Sequence, residues 1–429
     1  MTSRCLMAAM LFAVFLAPAS WARPGGKEYE FKGTPDGAFP YGGLVSDGNG
    51  NFYGTTQGVP SNACGNNASS CGTVFSMTRE ENGTWSYRTL HTFMGGTDGA
   101  VPMGPLALDN EGNVYGTAAE GGNPNFNCYC GTVFRLSPNQ DGTWTNTTLY
   151  GFQGGADGAG PMSGVAFDTA GDLYGTTSFC SLNVCGGTAF QLTPTQGGNW
   201  TKTTVYTFPF LGQPSEPGPL ILDAAGNLYG TTRWGGSANY GTVFQLVPSQ
   251  DGTWTENILY NFADGLDGGS PTGGIIFDGK GNLYGEASWG GSLACPVYGC
   301  GTVFELTPDS NGGWQFSVVH TFNGLNGARG EFPTGGLALD GSGSLYGTTM
   351  LGGDLTCLDG GCGTVFELTP SPGGATFRII ASFDGKHGAD PGAGVILDSA
   401  GNLYGTAEQG GDIRCGQPNG CGVVFLITP

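Results

Sequence analysis

The chain has 429 residues and carries 34 acidic against 14 basic side chains, a formal net charge of −20, which disfavours a nucleic-acid or anionic-membrane partner. Only 11% of residues are charged, 83 are glycine without a collagen period, and aromatic and β-branched residues recur at fixed places. Disorder and helical architectures are thereby set aside in favour of a turn-dense all-β protein.

Positions 1–22 have the pattern of a secretory signal peptide. Arg4 supplies the positive start, Leu6 to Leu16 an apolar run, and Ser20-Trp21-Ala22 a small-x-small cleavage site. The run is too short to span a bilayer. Residues 23–429 are therefore expected to form one exported domain, secreted or periplasmic, monomeric and not inserted in a membrane.

Glu28-Tyr29-Glu30-Phe31-Lys32 opens the mature chain as a strand. A Tyr-Gly pair then recurs at Tyr53, Tyr115, Tyr174, Tyr229, Tyr284, Tyr346 and Tyr404, at intervals of 62, 59, 55, 55, 62 and 58 residues. Each pair is followed by a second motif ending in Phe75, Phe134, Phe190, Phe244, Phe304, Phe366 or Phe425. A period near 60 with four strand-like runs predicts a β-propeller blade.

The unit from Pro271 shows the parts. Gly274 to Asp278 is strand A, a tight turn leads to strand B at Leu283-Tyr284-Gly285, and a long loop leads to strand C at Gly301 to Thr307. Trp314 to Phe322 is strand D. The A strands (106–108, 165–167, 337–339) are almost continuously apolar, which predicts burial on both faces at the inside of the ring. The last unit stops after strand C, and the opening strand matches strand D elsewhere (Leu149 to Phe152, Leu259 to Phe262). The N-terminal strand is thus expected to complete the seventh blade and leave no open edge.

Thirteen cysteines include Cys5 in the leader. The others fall in pairs between strands B and C: Cys64 and Cys71, Cys128 and Cys130, Cys180 and Cys185, Cys295 and Cys300, Cys357 and Cys362, Cys415 and Cys421. The unit between Tyr229 and Phe244 lacks both members, as pairing requires. In an exported chain this predicts six disulfides within loops, with Cys128-Tyr129-Cys130 the tightest. Metal binding would need four converging ligands, and the chain has three histidines.

Most repeated residues have structural explanations. Asp47, Asp109, Asp168, Asp223, Asp278, Asp340 and Asp398 precede the A–B turn, where an Asx-turn is expected. Phe31, Phe93, Phe152, Phe208, Phe262, Phe322 and Phe383 should pack between blades, and Trp85, Trp144, Trp200, Trp254 and Trp314 follow the C–D turn. His91 and His320 take a place held by tyrosine in other blades. The D–A loops bear Asp36, Asp98, Asp157 and Asp267, each before Gly; such loops can hold calcium, but turn formation explains them, and no cofactor is expected.

Function is expected in the departures from the repeat. In a propeller the D–A and B–C loops emerge on one face, and here they are the long ones. Trp234 and Trp289 stand five residues after their tyrosines, where other blades hold Gly58, Glu120, Phe179, Leu351 and Gln409. Glu286 replaces the threonine found as Thr55, Thr117, Thr176, Thr231, Thr348 and Thr406. Two aromatic plates beside a carboxylate suit a sugar, whose C–H faces stack on rings and whose hydroxyls bond to carboxylates.

Gly-Asn-Leu-Tyr-Gly-Thr paired with Gly-Thr-Val-Phe-x-Leu-Thr-Pro resembles the GloVer tandem repeat of exported bacterial proteins described as choice-of-anchor. The resemblance covers nearly all of the mature chain; it implies an extracytoplasmic repeat protein and brings no catalytic residues. The Asp-x-x-Gly-Asn-Leu-Tyr element is also similar to the A–B hairpin of lactonase-type and NHL-type propellers, whose metal residues lack a counterpart here. The leading expectation is a non-enzymatic binding propeller for carbohydrate or an extracellular protein. The alternative is a polysaccharide lyase or glycoside hydrolase using Glu286, which for hydrolysis needs a second carboxyl about 5–10 Å away.

Overall fold

The computed structural model describes residues 26–33, 35–58, 71–80, 82–122, 130–180, 185–210, 215–292, 294–295, 298–324, 330–355, 357, 360–371, 374–415 and 419–428. The expected leader, Cys64 and Cys128 lie outside these residues. Seven antiparallel sheets form the blades of a β-propeller, each in the order A–B–C–D. Blade 1 comprises Leu44–Ser46, Asn51–Thr56, Thr73–Arg79 and Trp85–Thr92. Blade 7 takes Ile396–Leu397, Leu403–Ala407 and Val423–Ile427 from the end of the chain and Gly26–Glu30 from its start. The predicted closure of the ring is therefore present, with Gly26–Glu30 antiparallel to Val423–Ile427. Blade 6 carries an additional short strand, Glu331–Pro333, beside Leu345–Leu351.

The A strands depart from expectation. They are two or three residues long and only partly buried, as in Ala107–Leu108 and Val165–Phe167. Burial concentrates on the apolar residues at or just before them, Leu44, Leu106, Leu220, Ile275, Leu337 and Val395. These strands form the inner margin of the ring, with one long edge unpaired by any sheet neighbour.

Packing explains why the two halves of the repeat travel together. The glycine of each Tyr-Gly pair lies opposite the strand C phenylalanine in register, as Gly54 opposite Phe75 and Gly230 opposite Phe244. A Cβ on any of these seven glycines would fall 2.4–2.8 Å from that ring's Cζ. Strand B must be bare there for the ring to lie flat across it. Each strand C ring then meets the phenylalanine that ends strand D of the preceding blade, edge to face, with centroids 4.9–5.3 Å apart. All seven strand D phenylalanines are fully buried, so the predicted packing between blades holds. The five tryptophans meet the Tyr-Gly tyrosine of the preceding blade at 5.9–6.4 Å.

The glycine of Gly-Thr-Val-Phe serves the same seams. It has φ between +77° and +121°, and the Cδ of a proline from the next blade lies 2.3–2.9 Å from where its Cβ would be. The residue before that proline is also in the left-handed region: Phe39, Val101, Gly160, Glu216, Ser270, Phe332 and Asp390 have φ from 46° to 63°. For the six that are not glycine this costs on the order of 1–3 kcal/mol each. The turn aims an N–H into the preceding blade. Phe39, Val101, Gly160, Phe332 and Asp390 donate to the carbonyls of Cys421, Cys71, Cys130, Cys300 and Cys362 at 2.9–3.2 Å.

This gives five of the disulfides a role beyond their own loops, because the second cysteine of the pair is the residue that receives the neighbouring blade; in blade 3 the residue after Cys185, Gly186, accepts from Glu216 at 3.3 Å instead. Four bonds are described, Cys180–Cys185, Cys295–Cys300, Cys357–Cys362 and Cys415–Cys421. Cys71 and Cys130 are also disulfide-bonded. In blade 4, without cysteine, Tyr240 supplies the carbonyl, accepting from Ser270 at 2.7 Å. Replacing both Cys295 and Cys300 by serine is expected to lower stability by about 2 kcal/mol. Hydrogen exchange should rise at Phe332 across the seam as well as in the loop; a change confined to the loop would show that the bond does not brace the seam.

The acids before the A–B turns are used as predicted. All seven A–B aspartates accept N–H groups two and four residues onward. In the D–A loops, Asp36, Asp98, Asp157 and Asp267 each bond to the Tyr or His seven residues earlier, namely Tyr29, His91, Tyr150 and Tyr260. His91 thus does the same work as its tyrosine equivalents, and His387 bonds to Asp384. Among the described residues, no group of three or more His, Cys, Asp or Glu is arranged for a metal ion.

Candidate functional site

The D–A and B–C loops meet on one face because the residue five after each Tyr-Gly tyrosine pairs with a D–A residue. Ala38 faces Gly58, Ala100 faces Glu120, and Gly269 faces Trp289. Whatever side chain stands at that register is therefore held on a rigid backbone at the loop face.

In blades 4 and 5 it is tryptophan. The Trp289 N–H bonds to the Gly269 carbonyl at 2.9 Å, and the Trp234 N–H to the Ser215 carbonyl at 3.1 Å. The two rings, on adjacent blades, touch edge to face with centroids 5.0 Å apart at 77°. Tyr298 stacks on Trp289 at 4.6 Å and 15°, and its own side is about half exposed, at 49%. On the other flank the Arg233 guanidinium lies 5.5 Å from the Trp234 ring centre and pairs with Glu216 at 3.1 Å. The result is a contiguous row, Arg233, Trp234, Trp289, Tyr298, ending in a half-exposed phenol.

Tyr298 was not singled out from sequence. It lies inside the ring closed by Cys295–Cys300, and its carbonyl accepts from the Gly290 N–H at 2.7 Å. The loop is thereby folded back over Trp289. An aromatic within a cysteine pair, one blade from a loop without cysteine, is the signal that could have found it.

Glu286 lies elsewhere. It is fully buried, and its Oε2 accepts the Gly336 N–H of blade 6 at 2.8 Å. Three of its threonine equivalents make the same reach: Thr117 accepts from Gly164 of the next blade, Thr176 donates to the Pro217 carbonyl, and Thr348 donates to the Ala393 carbonyl. Glutamate is longer, and Oε1 continues to the backbone of Gly347, where a Cβ would be 2.6 Å from it. That oxygen has no hydrogen-bond partner. Burial pushes the Glu286 carboxyl up to about 8, against a smaller opposing effect of the Gly336 N–H. The structure thus brings the two tryptophans together and sets the glutamate in the seam between blades 5 and 6.

An all-β ring of seven four-stranded blades with its long loops on one face defines the class as a β-propeller. The chain belongs to the Gloeobacter/Verrucomicrobia repeat family, whose profile matches residues 20–186 and 166–425. No curated protein matches it. Among solved structures it is similar to a streptogramin B lyase, with 16% identity, 93% of this chain and 96% of that one covered, and a TM-score of 0.53. It is also similar to hydrazine synthase of Kuenenia stuttgartiensis, at 11% identity, 95% and 99% coverage and a TM-score of 0.55. An ancestral GH74 enzyme aligns at 14% identity over 95% of this chain and 51% of its own, with a TM-score of 0.54. At these identities the likeness is one of fold. No helix among the described residues is long and apolar enough to cross a membrane.

Proposed function

We propose that this is an exported binding propeller that recognises carbohydrate on its loop face, with no chemistry of its own. The observation that carries this reading is the row formed by Trp234, Trp289 and Tyr298. Stacking on sugar C–H faces needs a rigid ring with one face open to water, and Tyr298 offers that while the tryptophans hold it from behind. Arg233 and Glu216 at the other end supply a donor and an acceptor for hydroxyl groups. Glu286 enters the reading as a bracing residue, since a carboxyl without exposure cannot meet a polymer.

A pull-down panel of insoluble and immobilised polysaccharides tests the proposal. At least one polysaccharide should retain the protein, and Tyr298→Ala and Trp289→Ala should each weaken retention about tenfold, the loss of one stacking contact of ~1–1.5 kcal/mol. Retention untouched by both substitutions, or none on any polysaccharide, would reject the site.

A further inference from the structure

The blade that carries Trp289 departs from the repeat at two further places, both in the D–A connection that enters it. Two residues after the strand D phenylalanine, the other connections hold Gly33, Gly95, Gly154, Gly324 and Gly385, with φ between +51° and +78°. Here the place belongs to Asp264, at φ +56°. Glycine adopts that conformation freely, whereas a residue with a Cβ is strained in it. Later in the same connection, opposite Trp289, stands Gly269, where Ala38, Ala100, Ala159 and Ala389 occupy the equivalent register. A glycine has become an acid, and an alanine a glycine.

The two changes fit each other. A Cβ on Gly269 would lie 3.3 Å from Asp264 Oδ1, 3.5 Å from Asp264 Cα and 3.3 Å from Tyr240 Cβ. An alanine would crowd the carboxyl, and the bare residue makes room for it. Gly269 and Trp289 exchange both backbone hydrogen bonds, at 3.0 and 2.9 Å. Side-chain positions directly opposed in such a pair lie on one face, about 5 Å apart. Asp264 Oδ1 therefore lies on the same side of the strand pair as the Trp289 side chain.

The carboxyl has nothing to hold there. Oδ1 is buried without a hydrogen-bond partner, while Asp264 as a whole is partly exposed. Asp267, the acid of the repeat, is by contrast engaged, accepting from the Tyr260 hydroxyl and the Ala263 and Gly265 N–H groups at 2.9–3.1 Å. Burial, then the Asp267 charge, pushes the Asp264 carboxyl up. A strained backbone and an unpaired acceptor both cost stability, and the turn forms elsewhere without either.

We propose that Asp264 is a specificity-determining residue of the aromatic shelf, accepting hydroxyl hydrogen bonds from a neutral sugar unit stacked on the row and turning away uronate- and sulfate-bearing chains. This role rests on the carbohydrate reading and narrows its ligand class to neutral polysaccharide. Because Oδ1 has no bond to give up, turning the side chain toward an arriving hydroxyl gains a charge-assisted hydrogen bond. The base of the row, Arg233, is already paired with Glu216 at 3.1 Å, and the net charge of −20 also opposes an anionic chain.

Depletion isotherms on cellulose, curdlan and cross-linked galactomannan, with alginate and polygalacturonate beads as acidic counterparts, test this alongside the melting temperature. Wild type should bind at least one neutral polysaccharide and neither acidic one. Asp264→Gly should weaken the neutral binding about tenfold and leave Tm unchanged or raised, since it relieves the strain. Asp264→Asn, which keeps an acceptor, should fall between the two. Unchanged affinity in Asp264→Gly, where Tyr298→Ala weakens binding, would reject this role and leave the shelf standing. Weakened binding with a lowered Tm would make Asp264 a structural residue, and equal binding of an acidic bead would overturn the selectivity. Failure of wild type on every polysaccharide would remove the carbohydrate reading and this role with it.

Discussion

Truncating Phe304 to alanine is expected to lower stability by about 3–5 kcal/mol, the upper range for a buried aromatic. The ring is fully buried, lies in register against Gly285 and meets Phe262 of the preceding blade at 5.3 Å. Its loss opens a cavity at a seam where neither backbone can collapse inward. The reciprocal change, Gly285→Ala, places a Cβ 2.4 Å from the Phe304 Cζ and should cost about 1–3 kcal/mol by overpacking. Because both act on one contact, the double variant Gly285→Ala, Phe304→Ala should be more stable than the sum of the two losses implies. Denaturant titration gives all three values. Strict additivity would mean that the glycine and the ring are not partners, and Val318→Ala on the exposed face of strand D serves as the near-neutral control.

The second large effect depends on pH. Glu286 is raised in the folded chain to about 8 from an ordinary 4.5. The folded state thus holds the proton more tightly than the unfolded state. This carboxyl imposes no penalty below pH 4.5, where it is protonated in both states. Its penalty grows from there and is complete once the pH passes 8. At roughly 1.4 kcal/mol per unit the full penalty is on the order of 3–5 kcal/mol. Glu286→Gln keeps an acceptor for the Gly336 N–H and removes the titration. The difference in stability between variant and wild type should therefore move in favour of the variant by several kcal/mol between pH 5 and pH 9. A pH-independent difference would show that water or a counter-charge reaches Oε1.

The ring and its closure were legible in sequence because each blade repeats its turn chemistry, and because an unpaired first strand and an unfinished last unit can only complete each other. The role of the Tyr-Gly glycine was not legible. A bare residue in a strand looks like a weakness until the ring lying across it is seen. The A strands were overread: Leu106 to Leu108 is as apolar as a doubly buried strand, yet only its first residue is buried, because the inner margin of a ring is itself a surface. At the site, Trp234 and Trp289 stood out against the repeat and do touch. Glu286 stood out equally, but alternation along strand B sends residues two and five positions after a tyrosine to different surroundings. That placed the carboxyl in a seam and the indoles at the face. Tyr298 and Arg233 escaped notice since neither the loop interior nor a single basic residue has a pattern to break.

In the proposed function the repeat builds the frame and the loops of blades 4 and 5 meet the ligand. Hydrogen exchange of the protein with a polysaccharide that retains it in the pull-down panel tests this most directly. Protection is predicted in peptides spanning residues 231–241 and 287–300, with the A–B and C–D turns of the opposite face unchanged. Protection of those turns, or of the Tyr-Gly strands without the loops, would contradict it.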